Sequence, residues 1–355
     1  MPRASHIRNA SESDSRRADW PSRSSKRLSV SVASDRVASI DPSHASSQRL
    51  REKIFRASTF AAAVLVLVML GGVTFTLIEQ AWPALSHFKL GFITNTSWNP
   101  VTEKFGALAA IYGTLVTSLL AMLFAVPVSL GVAIFLTELA PSWLKRPVGV
   151  AIELLAAVPS IIFGIWGLFV LAPVMQAHVQ PWLIEVLGPL PVIGSLFQGP
   201  PYGIGIFTAG VVLAIMIIPF ISAVMRDVFE TVPDVLKESG YGLGATTWEV
   251  IWNVVIPHSR TGMVGGIMLG LGRALGETMA VTFVIGNAHR ISGSILSPGT
   301  TISASIASEF TEAVGAMYTS ALVGLGALLF LITLTVIAAA RYMLMRMDRK
   351  ALSSV

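Results

Sequence analysis

Residues 108–136 read LAAIYGTLVTSLLAMLFAVPVSLGVAIFL, an apolar run without a single charged side chain. About twenty such residues cross the hydrocarbon of a bilayer as a helix. Hydrocarbon offers the backbone no hydrogen-bond partner, so a spanning segment must satisfy its own polar groups as a helix. Similar runs lie near residues 54–79, 148–174, 204–224, 262–286 and 318–341. Together they predict an all-α, polytopic membrane bundle of six transmembrane helices.

Composition agrees. Mean hydropathy is +0.70. Charged residues make up 13% of the chain, against about 25% in an ordinary soluble domain. The absence of cysteine excludes disulfides and thiol chemistry. A net charge of +5 and a pI near 9.7 would suit nucleic acid. However, the basic residues gather at the chain ends and in a few loops, the pattern of positive-inside topology, and no nucleic-acid partner is expected.

Residues 1–52 are rich in Ser, Arg and Asp and lack long apolar runs, which predicts a disordered cytoplasmic tail. Arg16-Arg17 precedes Ala-Asp-Trp rather than an apolar stretch, so it makes a poor export signal. The first apolar run starts near Ile54, too late for an ordinary signal peptide, and is expected to stay as an anchor. Residues 53–345 then form the transmembrane domain, and residues 346–355 a short cytoplasmic C-terminus. With the N-terminus inside, inner segments hold 21 of the 25 Lys and Arg residues, while outer loops hold only Lys89, Lys104 and Arg290. That asymmetry predicts both termini in the cytoplasm. Trp82, Trp98 and Trp182 fall in the outer connections, where interfacial aromatics are expected. Asn95-Thr96-Ser97 matches a glycosylation sequon, but three residues carry no weight alone.

The inner connection 225–261 predicts two short helices. One begins near Thr231, with Pro233 in its opening turn and Asp234 following, and ends in the glycines 240, 242 and 244. The other begins at Thr246, with Glu249 at capping-box spacing. Trp248, Ile251, Trp252 and Val255 form an apolar stripe, and Pro257 is expected to stop the helix. Such a stripe suits burial against the bundle or membrane surface, and equally suits docking of a cytoplasmic partner.

Glu238-Ser239-Gly240, Gly244, and Val254-x-Ile256-Pro257 resemble the EAA loop of type I ABC importer permeases. Ser239-Gly240 stand in place of two alanines; they stay small, although Gly lowers helix propensity by about 1 kcal/mol. The resemblance implies a type I permease fold, with this loop as a coupling helix seated in a cleft of an ATPase subunit. Glu238, Gly240, Gly244, Trp248 and Pro257 are then the candidate coupling residues.

The fifth span places Arg273 and Glu277 in an otherwise apolar helix. Each lone charge there costs about 2.5–3.5 kcal/mol on insertion scales. At i, i+4 spacing they are expected to share a face and pair. Such a pair suits a translocation path, and also suits a salt bridge that only assists helix association. Gly266, Gly270, Gly272 and Gly276 would let another helix approach closely, most simply that of a second permease subunit.

Residues 265–287 as a whole resemble the PstC family of phosphate ABC importer permeases. So do residues 105–117, 153–160, 166–173 and 308–310, and Gly286-Asn287 favours this family over its sister PstA. The resemblance covers about residues 55–345. It implies that Arg273 and Glu277 take part in phosphate translocation. It also implies a PstA-like second permease subunit, a PstB-like ATPase subunit and a PstS-like extracytoplasmic binding protein, all around a chain embedded in membrane lipid. Arg and hydroxyl groups suit an oxyanion. Thr114, Thr117, Ser118, Ser160, Thr278 and Thr282 lie within spans, and Thr278 and Ser160 complete the candidate set. Back-bonding to their own helix carbonyls is the simpler role for most of these hydroxyls.

None of the seven lysines follows a glycine, so the chain has no P-loop. It is not expected to be an enzyme or to hold a cofactor or metal. ATP and Mg are expected on the partner ATPase. The six histidines lack metal-ligand spacing and read as solvated or loop residues. Two alternatives remain open: an ion-coupled secondary transporter using Arg273 and Glu277 as a relay, and an ABC permease for another oxyanion.

Overall fold

The computed structural model describes residues 42–352 apart from Val192. The chain falls into two compact units, residues 1–68 and 69–355. The described part of the first unit belongs to helix α1 (Pro42–Phe88), whose side chains from 51 to 68 are all exposed. Residues 42–52, expected in the tail, are therefore helical. Extending an existing helix costs far less than nucleating one, so the apolar span carries its polar approach with it. The rest of the expected tail, residues 1–41, lies outside the described residues.

A small hairpin follows, with β1 (Trp98–Asn99) antiparallel to β2 (Lys104–Phe105). Helix α2 (Leu108–Leu139) ends in a π-helical turn, Phe135–Leu139. The span expected at 148–174 is divided. Residues 142–156 form a separate helix, α3 (Ser142–Ala156), and the crossing helix is α4 (Ser160–Leu187). Pro159 explains the division: it lacks an N–H and pushes Val158 out of helical geometry. Next come α5 (Ile206–Glu230), α6 (Asp234–Gly242), α7 (Thr247–Gly276) and α8 (Met279–Ile285). The chain closes with α9 (Ile302–Glu309) and α10 (Ala316–Leu352), whose helix runs on into the C-terminal segment that follows residue 345. Among the described residues, five helices are long and apolar enough to cross a membrane, and α7 with α8 makes a sixth, bent by 59°.

Helix α5 is the axis of the second unit; α2, α3, α7 and α8 all pack on it. Its Leu213, Ile217, Ile221 and Met225 are buried together with Ala121 and Ala125 of α2. Small residues on α2 permit that approach, because dispersion between close backbones drives helix association where lipid is as apolar as leucine. Gly262, Gly266 and Gly270 of α7 play the same part against Val228, Val224 and Ile221 of α5. The glycines expected to face a second subunit are thus mostly used within the chain. Gly272 faces Ile337 of α10, and Gly276 alone of the expected four faces open space.

Residues 286–301 join α8 to α9 without regular structure, yet Thr300 and Thr301 are buried. Irregular backbone is tolerated at such depth only where protein satisfies it. Here the Ile206 and Phe207 N–H groups donate to the Ser297 and Ile295 carbonyls, and the Gly299 N–H to the Ile285 carbonyl. The Ile302 N–H donates to Thr114 Oγ1 at 2.9 Å. Gly286 and Asn287 turn the chain with φ of 92° and 48°, the left-handed region that Gly and Asn tolerate best.

At the hairpin end, Glu309 accepts hydrogen bonds from Trp98 Nε1 at 2.7 Å and Tyr318 Oη at 2.6 Å. Its other oxygen lies 2.6 Å from His289 Nε2. Trp98 stacks on His289 with ring centroids 5.0 Å apart. Trp98, in the hairpin, and His289, in the irregular loop, are thus packed on one another around Glu309. Burial pushes the Glu309 carboxyl up, but hydrogen bonds from His289, Tyr318 and Trp98 together hold it below the usual carboxylate range.

A depressed carboxylate contributes stability above its unfolded pKa, about 4.3, and loses it as pH falls through the folded value. Thermal melts in detergent should therefore show stability dropping below about pH 4.3, and Glu309→Gln should lower the pH 7 melt while flattening that drop. Gly113→Ala should also lower the melting temperature, because its Cβ would overlap the Thr300 carbonyl, whereas Gly131→Ala, in mid-helix with open space around it, should hold or raise it.

Candidate functional site

The helix carrying Arg273 stops at Gly276, in mid-span. Glu277 is extended, with φ −68° and ψ 130°, and α8 restarts at Met279. The expected i, i+4 geometry is therefore absent, because Glu277 is no longer helical. Among the described residues, no ion pair joins Glu277 to Arg273. Each charge has its own setting. Glu277 Oε1 accepts from the Ala280 N–H at 3.3 Å and so caps the first turn of α8. The Arg273 guanidinium lies 5.7 Å from the Phe220 ring centroid, within cation–π range. Arg273 and Gly276 are exposed on one open face of α7 with Leu269.

A guanidinium on the open face of a membrane helix has two physical options. It can face a water-filled path, or it can meet a polar group of another chain. The break also unsatisfies backbone groups that Thr278 partly recovers, its Oγ1 donating to the Gly276 carbonyl at 3.3 Å. Thr282 Oγ1 donates to the Thr278 carbonyl at 2.7 Å. Thr114, Thr117 and Ser118 likewise donate to carbonyls one turn back in α2. Ser160 opens α4 and is half-buried. One turn further on, Gly164 packs against Phe283, the Met279 carbonyl and Ala280, which brings α4 against the far side of the break. Arg273, Glu277 and Thr278 thus sit at one break, with the helix that Ser160 opens packed beside it. Phe220 joins them through the fold alone; nothing in an apolar run of α5 distinguishes it.

The 225–261 loop is built largely as its sequence implies. Thr246 and Glu249 form the full capping box. Gly244 takes φ +87° at the bend, where a side chain would be strained. Three details differ. Thr231 ends α5 instead of opening α6, which starts at Asp234 because Pro233 keeps Val232 out of helical geometry. The helix also runs through Pro257: the π-turn Ile251–Val255 just before it absorbs the missing N–H. Finally, the stripe is shared between two faces. Ile251 and Val255 are buried in the bundle, while Trp248 is 62% exposed and packs edge-on against Trp252 at 5.4 Å. Glu238, Gly244 and Pro257 are exposed, and Gly240 lies with its α-carbon near Val250. Leu243, at the bend, is 90% exposed. An exposed apolar cluster rimmed by polar residues marks an interaction surface.

Comparison with known proteins agrees with this architecture. Residues 125–349 match the family of binding-protein-dependent transport system inner membrane components. The phosphate transport system permease protein PstC of Mesorhizobium japonicum is 64% identical over 301 residues, 85% of this chain and 92% of that protein. PstC of Pasteurella multocida is 59% identical over 299 residues, 84% of this chain and 93% of the relative. PstC 2 of Mycobacterium tuberculosis is 39% identical over 297 residues, 82% of this chain and 91% of the relative. Among solved structures, an inward-facing MetNI methionine ABC transporter aligns with a TM-score of 0.51 at 17% identity, covering 67% of this chain and 94% of that one. A bacterial ABC transporter involved in import of the acidic polysaccharide alginate aligns with a TM-score of 0.50 at 17% identity, covering 84% and 99%. At these identities the structures speak for the fold alone, that of type I ABC importer permeases. The chain belongs to the binding-protein-dependent transport system inner membrane components and, within them, to the PstC family of phosphate transport system permease proteins, which are multi-pass inner-membrane components of a multisubunit ABC transporter rather than enzymes.

Proposed function

We propose that this chain lines one side of a path by which phosphate is carried inward across the cytoplasmic membrane, driven by ATP hydrolysis on a separate subunit. The observation that carries this reading is the broken α7–α8 span with Arg273 on its open face. A guanidinium with no carboxylate partner among the described residues is suited to an anionic cargo, and its planar donors match the oxygens of phosphate. Glu277, capping α8, places a carboxyl at the same break, which would favour release over tight retention of an anion. Thr278 and Ser160 supply hydroxyls at the edges of the break. A relay between Arg273 and Glu277, the basis of an ion-coupled alternative, finds no support in the geometry, since the two side chains do not pair. An ABC permease for another oxyanion remains the alternative that the charge alone would also suit; the identity with PstC proteins favours phosphate.

The same reading assigns the exposed apolar surface of the 225–261 loop to an ATPase subunit, which holds ATP and Mg. A second, PstA-like permease subunit completes the path, and a PstS-like binding protein delivers phosphate at the hairpin end. The 21-to-3 distribution of basic residues supports a cytoplasmic position for both termini and the loop. Glu238 and Gly244 then lie at the subunit junction with Gly240, Trp248 and Pro257.

Reconstitution with the partner permease and binding protein, with and without the ATPase, and with labelled phosphate, tests the reading. Uptake should require both ATPase and ATP; uptake driven by an ion gradient alone would refute it. A hydrogen bond to a charged group contributes about 1.5–3 kcal/mol. Arg273→Gln should therefore cut uptake at least about tenfold while the complex still assembles; loss of assembly instead would assign Arg273 to helix association. Gly244→Val should strain the bend and lower uptake per ATP hydrolysed, with the loop otherwise intact.

A further inference from the structure

Helix α6 has no buried residue. Its surface is exposed apart from a few anchoring points, of which Gly240 against Val250 is one. The strongest anchor is Lys237, whose Nζ lies 2.6 Å from Glu138 Oε1. The two residues are 99 positions apart. Glu138 belongs to the π-turn that ends α2. Its side chain is only 7% exposed and that of Lys237 17%. Among the described residues neither has another opposite charge within 4.0 Å. The same turn is also held by Lys145 of α3, which donates to the Thr137 carbonyl.

We infer that the Lys237–Glu138 pair is a positioning link that carries movement of the 225–261 loop into α2; this rests on the ATPase-coupled reading above. Two routes lead from the loop into the membrane. One is covalent: α6 leads through the Gly244 bend into α7 and so to Arg273. The other runs from α6 across the ion pair into α2, which packs along α5 and also touches α7. With only the first route, α7 would move against a stationary α2. With both, the helix bearing Arg273 and its packing partner are displaced together.

Net stability does not account for such a pair. Desolvating two charges offsets most of their attraction, and apolar residues of similar volume commonly serve as well or better. What a desolvated pair supplies is a short, directional link that fails sharply when one partner is lost. A π-turn is a natural place for it, because the extra residue re-aims a side chain out of the ordinary helical register.

The test uses the complete transporter in proteoliposomes, measuring phosphate carried per ATP hydrolysed together with the amount of assembled complex. Glu138→Gln and Lys237→Met should each assemble with the ATPase and lower phosphate per ATP at least about fivefold, a coupling of about 1 kcal/mol. The exchanged pair, Glu138→Lys with Lys237→Glu, should recover at least about half of the wild-type ratio, as a restored pair interaction requires. A purely structural role would instead lower assembled complex with the ratio unchanged, and that outcome overturns the link. So would single variants that keep the wild-type ratio, or an exchanged pair that assembles and stays uncoupled. Should Glu138→Gln fail to assemble, Lys237→Met and the exchanged pair decide by the same ratio. Wild-type complex that takes up phosphate without ATP would overturn the parent reading, and this one with it.

Discussion

Hydrocarbon cannot hydrogen-bond, and nearly every feature of this chain answers to that constraint. It makes the apolar runs helical, because a helix satisfies its backbone internally. It makes each departure from helix informative, because every departure needs its own satisfaction. The α7–α8 break has Glu277 and Thr278 bonding freed backbone groups on either side. The irregular 286–301 segment reaches depth by accepting hydrogen bonds from α2 and α5 and donating one to α8. At the hairpin end, Glu309 collects the polar atoms of Trp98, Tyr318 and His289 around one carboxylate.

Association of the helices follows from a second consequence of the same solvent. Lipid removes the ordinary hydrophobic drive, so close backbone contact and shape must replace it. Gly262, Gly266 and Gly270 let α7 lie against α5, and the small residues of α2 let that helix approach α5 in the same way. This packing turns the remaining face of α7 outward, with Leu269, Arg273 and Gly276 on it. The open face is thus the geometric product of which glycines were spent on α5. A charge placed there is costly in lipid and has value only opposite water, cargo or another chain.

Much of this was legible without coordinates. The six spans follow from run length and hydropathy, which are local properties. The capping box at Thr246–Glu249 and the Gly244 bend are equally local and stand as read. The errors share a cause. Arg273 and Glu277 were expected to pair because spacing implies a shared face only while the helix continues, and nothing in the residues Leu-Gly-Glu-Thr announces that it stops. Pro257 and Pro159 illustrate the ambiguity from the other side. The first is absorbed by a π-turn and the second divides a span, although proline's intrinsic effect is the same.

The sequence by itself determined the class of molecule: membrane-spanning helices, with a loop that carries its own caps and bend. Each rests on solvation or on contacts within a few residues, so each can be read locally. Only the tertiary structure decided which of those residues act together. Phe220 beneath Arg273, Lys237 on Glu138, and Trp98 on His289 and Glu309 join positions far apart in the chain. Their meeting depends on where every intervening helix packs, and that packing is chosen by shape complementarity summed over the whole bundle, which no local pattern encodes.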